Sequence, residues 1–215
     1  MAEKILLPEA QTWSADAVPC YAQIWPGTDP NDPDNAQEGG AVAPNADNYI
    51  QIYYSSAVKP GKCYNLFMSY KQGVLTYQTP PSPLAGEIDC SSFGCGQWTL
   101  KNWTVDSDAV AAKALALKQA GENISSIQVQ AAAFVRQNRA CPALSALADD
   151  APVYVIDSTK PYSFGSMVLK FPVGPMTETD AARYIIYDAS NGSLVGIFPF
   201  TKKMGTSYGP YECAK

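Results

Sequence analysis

Histidine is absent from all 215 residues. That absence removes Ser-His and Cys-His nucleophile pairs, histidine-ligated zinc and c-type haem attachment, each of which needs an imidazole as base or ligand. Charge is scarce too: Lys and Arg number 15, Asp and Glu 20, and the net charge is -5. No run of Lys or Arg occurs, so nothing supplies the phosphate-neutralising patch that nucleic-acid binding needs, and DNA and RNA are not expected partners. No apolar stretch approaches the roughly 20 residues that cross a bilayer, and no transmembrane segment is expected. "KILLP" near the start is too short for the core of a secretion signal, so an exported chain would have lost its leader already. No C-x-x-C pair is present, and no Gly-rich phosphate loop or dinucleotide fingerprint follows a strand-like run. No cofactor is expected.

What is present is a chain 47% hydrophobic with 13 Tyr and 4 Trp. With so little charge, its surface is built largely of Ser, Thr, Asn, Gln, Tyr and Gly, in a globular rather than a disordered composition. Six cysteines, Cys20, Cys63, Cys90, Cys95, Cys141 and Cys213, run from end to end. An even, scattered set fits disulfides in an oxidising compartment better than a metal site, with buried free thiols as the alternative. The pairing is not readable from spacing; the short Cys90/Cys95 loop is the first pair expected.

Residues 26–48, "PGTDPNDPDNAQEGGAVAPNADN", form a loop by their Pro, Gly, Asp and Asn content. Asp29, Asp32 and Asp34 offer oxygens to calcium, but their spacing is not that of an EF-hand, and a solvated loop is the better reading. From Tyr49 the pattern turns to strands. "YIQIYYSS" alternates, "KPGK" turns, and "CYNLFMSYKQ" with "GVLTYQT" reads as a hairpin around Gln72-Gly73. "QWTLKNWTV" then predicts a strand and "DSDAVAAKALALKQAG" the main helix, about residues 107–120. Asp106 or Ser107 serves as its cap, Val110, Ala114 and Leu117 lie on one face, and Gly121 permits the exit. "SSIQVQAAAFV" reads most easily as a strand, with its alanines leaving a helical extension open; "VYVIDS", "GSMVLKFPV" and the pair "RYIIYDAS"/"SLVGIFPF" read as strands, with a loop or short helix over 136–152. The expected fold is α+β: an antiparallel sheet packed on one main helix, with an additional N-terminal β-meander and long loops. The expected division is 1–97 and 98–215, or one continuous domain.

Candidate chemistry is sparse. "GTSYG" at 205–209 matches the nucleophile-elbow spacing, but it lacks a following helix and a base. Asp106/Asp108, Asp149/Asp150 and Glu178/Asp180 are the acid pairs available to glycosidase-like chemistry, and each reads better as a helix cap or solvated loop. No catalytic residue is assigned. Sequons occur at Asn102, Asn123 and Asn191, meaningful only in a eukaryotic secretory host. Trp98 and Trp103, five apart, would face opposite sides of one strand. In "YIIYDASNGSLVGIF", Asn191 and Gly192 are expected at positive φ in a two-residue hairpin, and Asp188 is expected to shape the bend by accepting turn amides.

Trp98, the "DSDAVAAKALALKQAG" helix and the closing "YIIYDASNGSLVGIF" hairpin together resemble the PepSY-like family over roughly residues 98–200. A diverged second copy in the first half is conceivable, yet that half is read as lacking a helix. The resemblance implies an exported bacterial protein that binds or inhibits rather than catalyses. The expected function is accordingly a non-catalytic module recognising a protein or cell-envelope partner, secreted, periplasmic or attached to the cell surface. Two alternatives remain open: a self-assembling subunit or decoration of an extracellular assembly, and a histidine-free carbohydrate-binding or carbohydrate-active protein.

Overall fold

A computed structural model describes residues 2–25, 48–71, 74–78, 85–90, 95–117, 123–138, 142–159, 162–164, 167–169 and 182–200. The chain opens with helix α1 (Ala2–Trp13), followed by β1 (Val18–Trp25), β2 (Asn48–Ser55), β3 (Lys62–Lys71), β4 (Val74–Gln78) and β5 (Gly86–Asp89). Then come α2 (Ser107–Ala116), β6 (Asn123–Ala131), α3 (Ala132–Asn138), a 3-10 turn (Pro142–Ala146) and β7 (Pro152–Thr159). Among the described residues the short strands β8 (Tyr162–Phe164) and β9 (Met167–Leu169) pair only with each other, and β10 (Ala182–Asp188) and β11 (Leu194–Phe200) follow. The main sheet is antiparallel throughout, in the order β11-β10-β7-β6-β1-β2-β3-β4, with β5 sharing the edge of β3 with β4.

This order corrects the expected layering. One long antiparallel sheet takes strands from both halves of the chain and carries two helices on one face, rather than packing on a single main helix. The overlooked helix is α1, which buries Leu6 and Ala10, four residues apart. Pro8 inside it interrupts the helical pattern in sequence, because proline removes an internal hydrogen bond. The main helix is shorter than expected, ending at Ala116, and Asp106 makes no side-chain capping bond to it. Gly121 lies outside the described residues. The strand expected in "QWTLKNWTV" does not form; its backbone instead bonds singly, Leu100 N–H to Pro19 O at 2.8 Å and Lys101 N–H to Asp150 O at 3.3 Å.

The two halves repeat one layout. α1 and α2 begin 105 positions apart, as do β1 and β6, while β2 and β7 begin 104 apart. β1 pairs with β6 through Ala22↔Val129, Gln23↔Gln128 and Ile24↔Ile127, so an offset of 105 maps each pair onto its mirror and Gln23↔Gln128 onto itself. The irregularity in β1 falls between Pro19 and Tyr21, and that in β6 between Ile124 and Ser126, the equivalent place. The strands thus run outward from a local two-fold axis at Gln23/Gln128, β1-β2-β3-β4 one way and β6-β7-β10-β11 the other. In β1/β6 and β2/β7 only Gln23/Gln128 and Ile52/Ile156 are identical between the units, so no sequence repeat announces the structural one.

Strand alternation sorts side chains onto two faces. The front face packs Ile24, Ile52, Val129, Ile156 and Ile185 under Leu6 and Ala10 of α1 and Val110, Ala111 and Ala114 of α2, in one buried cluster. On the reverse face the C-terminal unit is covered by α3 and the 3-10 turn, with Ala132, Val135 and Leu144 against Val153, Val155 and Ile186. The N-terminal unit instead gathers Cys20, Tyr21, Tyr53, Cys63, Cys90 and Cys95 there.

Those cysteines form Cys20–Cys95 and Cys63–Cys90 bridges, correcting the Cys90/Cys95 pairing. The cause is the ladder: β5 runs antiparallel to β3 with Cys63 opposite Ile88, and Cys90 N–H donates to Gly61 O at 3.1 Å, so Cys90 arrives beside Cys63. Cys20, the extra residue in the irregular part of β1, is left for Cys95. Cys141 and Cys213 lie outside the described residues. No helix among the described residues is long and apolar enough to cross a membrane.

Candidate functional site

Between the two covers of the reverse face lies a strip of uncharged polar side chains centred on the two-fold axis. Cross-strand register places Gln51, Gln23 and Gln128 in one row across β2, β1 and β6, flanked by Phe67 opposite Gln51 and Val155 opposite Gln128. Adjacent strands lie about 4.8 Å apart, within mutual reach of such side chains. A second row on the same face holds Tyr53 opposite Tyr21. Gln130 stands two residues beyond Gln128 on the same side of β6. Gln23, Gln51 and Gln128 are partly exposed, whereas Tyr21, Tyr53 and Gln130 are buried.

The strip is knit internally. Tyr21 and Tyr53 meet edge to face with ring centroids 5.5 Å apart, the Tyr21 hydroxyl donates to Gln23 Oε1 at 3.1 Å, and Gln130 Nε2 donates to Gln128 Oε1. Burial pushes the Tyr53 phenol above its ordinary pKa, which keeps it neutral. Gln130 is 6% exposed, yet its Oε1 is buried and accepts no hydrogen bond among the described residues. Neutral donors and acceptors in fixed rows, beside aromatic edges, can recognise a polar uncharged surface; they offer no group to move a proton near neutral pH.

The residues singled out from sequence are distributed elsewhere. Asp188, Asn191 and Gly192 do come together, in the β10–β11 turn. Asp188 Oδ1 accepts from Ser190 N–H at 2.8 Å and Ser190 Oγ at 2.6 Å, and its Oδ2 accepts from Asn191 Nδ2 at 2.8 Å. The turn is longer than a two-residue hairpin: Asp188 N–H donates to Ser193 O, Gly192 N–H donates to Asp188 O, and positive φ belongs to Gly192 (73°) but not to Asn191. A Cβ on Gly192 would lie 3.1 Å from Lys113 Nζ, which itself donates to Gly192 O at 2.6 Å. Together with Thr104 and Val105 N–H groups donating to Ala189 O, these bonds dock the turn against α2.

Among the described residues, Asp106/Asp108 and Asp149/Asp150 form no cluster of three or more acids. Asp106 and Asp108 are exposed at the start of α2. Asp149 is ion-paired with Arg136, and Asp150 with Lys101 at 2.7 Å, which holds the Asp150 carboxyl below its ordinary pKa. Glu178, Asp180, the 29–34 acidic cluster, the "GTSYG" stretch and the Gln72-Gly73 turn lie outside the described residues. Trp98 and Trp103 do not divide between inside and outside. Both pack partly buried against the front core, Trp98 with its ring 6.4 Å from that of Phe134, and Trp103 donating Nε1–H to the Tyr154 hydroxyl at 2.8 Å. Tyr154 donates in turn to Val105 O at 2.8 Å, and burial drives its pKa far up.

Sequence reasoning also passed over Asp16. Its carboxylate accepts from Ser56 Oγ at 2.6 Å, Ser14 Oγ at 2.7 Å and Ala57 N–H at 2.9 Å, tying the α1–β1 turn to the end of β2. The hydroxyl bonds from Ser56 and Ser14 lower its pKa to about 2. The glutamine strip was equally overlooked, although "YIQIY" and "IQVQ" carry it as the polar half of an alternating pattern.

Comparison with family models, with curated proteins and with solved structures gives no significant match.

Proposed function

We propose that the chain is a non-catalytic binding module, exported and PepSY-like in its C-terminal half, that engages a partner at the cell envelope through the reverse face of its central strands. The observation that carries this reading is the Gln51–Gln23–Gln128 row. It lies at the middle of the sheet, between lateral covers of sulfur and helix, and is partly exposed. The ion pairing of Asp149 and Asp150 supports a binding role over bond-making at that pair, and the two buried bridges suit a compartment outside a reducing cytosol. The sequence-level resemblance to PepSY-like domains rests on the α2 segment and the β10–β11 hairpin, and this reading adopts its binding character.

The test is retention of envelope material on the immobilised full chain, compared with the variant Gln23→Lys. A charge in the neutral row desolvates poorly against an uncharged partner, so retention falls at least tenfold while the thermal midpoint holds. Equal retention by both proteins, or substrate turnover abolished by Asp149→Ala or Asp150→Ala, overturns the reading.

A further inference from the structure

Resting on that binding face, the structure points, we infer, to its ligand class: the reverse-face strip is a subsite for a neutral, hydroxyl-rich chain, an uncharged saccharide. Three observations converge. The two rows contain side-chain amides and phenols and no carboxylate, ammonium or guanidinium, so within them an acidic polysaccharide finds no counter-charge. Amides supply a donor and an acceptor on one rigid plane, which matches a hydroxyl that both gives and takes a hydrogen bond. Tyr21 and Tyr53, packed edge to face beneath the row, hold it rigid, the Tyr21 hydroxyl fixing the Gln23 amide.

Gln130 is an independent pointer. Its amide donates to Gln128 but its Oε1 is buried without a donor, and a buried acceptor left unpaired destabilises the free protein. An apolar residue of similar length would be the better choice for packing alone. A ligand hydroxyl that draws Gln128 aside frees Gln130 to rotate and pair. Discrimination then follows, because a site built to satisfy amides rejects analogues lacking the hydroxyl.

The full chain is titrated with neutral hexasaccharides of glucose, xylose, mannose and N-acetylglucosamine and with an acidic oligogalacturonate, following side-chain amide signals by NMR and heat by calorimetry. The expected result is binding of at least one neutral series, with shifts confined to glutamine amides, and none of the acidic chain. Gln23→Ala/Gln128→Ala weakens that binding at least tenfold, and the milder Gln51→Ala, on a partly exposed position, repeats the loss if the double variant folds poorly. Gln130→Met raises the thermal midpoint and weakens binding. Absence of binding by every neutral series, or binding unchanged in these variants, overturns the saccharide assignment. If envelope protein is instead retained and Gln23→Lys releases it, the binding face stands and the saccharide assignment falls.

Discussion

In the N-terminal unit the reverse face is closed by sulfur, with Cys20–Cys95 and Cys63–Cys90 packed beside Tyr21 and Tyr53. In the C-terminal unit the same face is closed by the β6–β7 connection, whose α3 and 3-10 turn lay Val135 and Leu144 on Val153, Val155 and Ile186. Two copies of one layout therefore solve one problem by different means. A bridge stabilises chiefly by restricting the unfolded chain, whereas an apolar cover stabilises by removing surface from water. The axis between them needs neither device, and there the polar row is left accessible.

Breaking each cover separately tests that contrast. The largest effect belongs to Cys20→Ala/Cys95→Ala: closing a loop of 75 positions restricts the unfolded state by about 4 kcal/mol, and denaturant unfolding should reveal a loss of that order. Leu144→Ala removes a fully buried side chain from the other cover and should cost about 3 kcal/mol by transfer and cavity terms. The first loss vanishes when both proteins are compared under full reduction; the second persists. Equal sensitivity of both losses to reductant would collapse the distinction.

Smaller effects sharpen the comparison on the front face. Tyr154→Phe strands Trp103 Nε1–H and Val105 O and should cost about 1–2 kcal/mol. Tyr187, paired with Tyr154 across β7 and β10, has a buried hydroxyl with no hydrogen-bond partner among the described residues, so Tyr187→Phe should leave stability unchanged or raise it slightly. Paired thermal melts decide whether the two phenols differ in sign. Asp16 adds a pH dependence in the N-terminal unit. Its folded pKa, about 2, lies below the unfolded value near 4. Its contribution is thus full above about pH 4 and is lost as pH falls through 2. Asp16→Asn should flatten the acid limb of a stability profile over that window and lower the thermal midpoint at neutral pH.

Much of the strand content was legible, because alternation in "YIQIYY", "VYVIDS" and "YIIYD" reports faces directly. α1 escaped notice because Pro8 sits inside it, and a short helix held by a sheet needs little intrinsic propensity. The Asp188 turn was readable in outline from Asp, Asn and Gly, yet its true length depends on its seat against Lys113 and Thr104. The glutamine row was hidden in plain alternation. Three glutamines far apart in the chain become neighbours only when β2, β1 and β6 adopt one register.

By itself, the sequence determined the absence of imidazole chemistry, the scarcity of charge, the alternation of the strands and the supply of cysteines, since these are properties of residues and near neighbours. The tertiary structure alone decided which cysteines meet, that two units share one sheet around Gln23 and Gln128, and that uncharged amides line its axis. The physical reason is that antiparallel pairing joins segments roughly a hundred positions apart, and backbone ladders fix that register through contacts that no local pattern encodes.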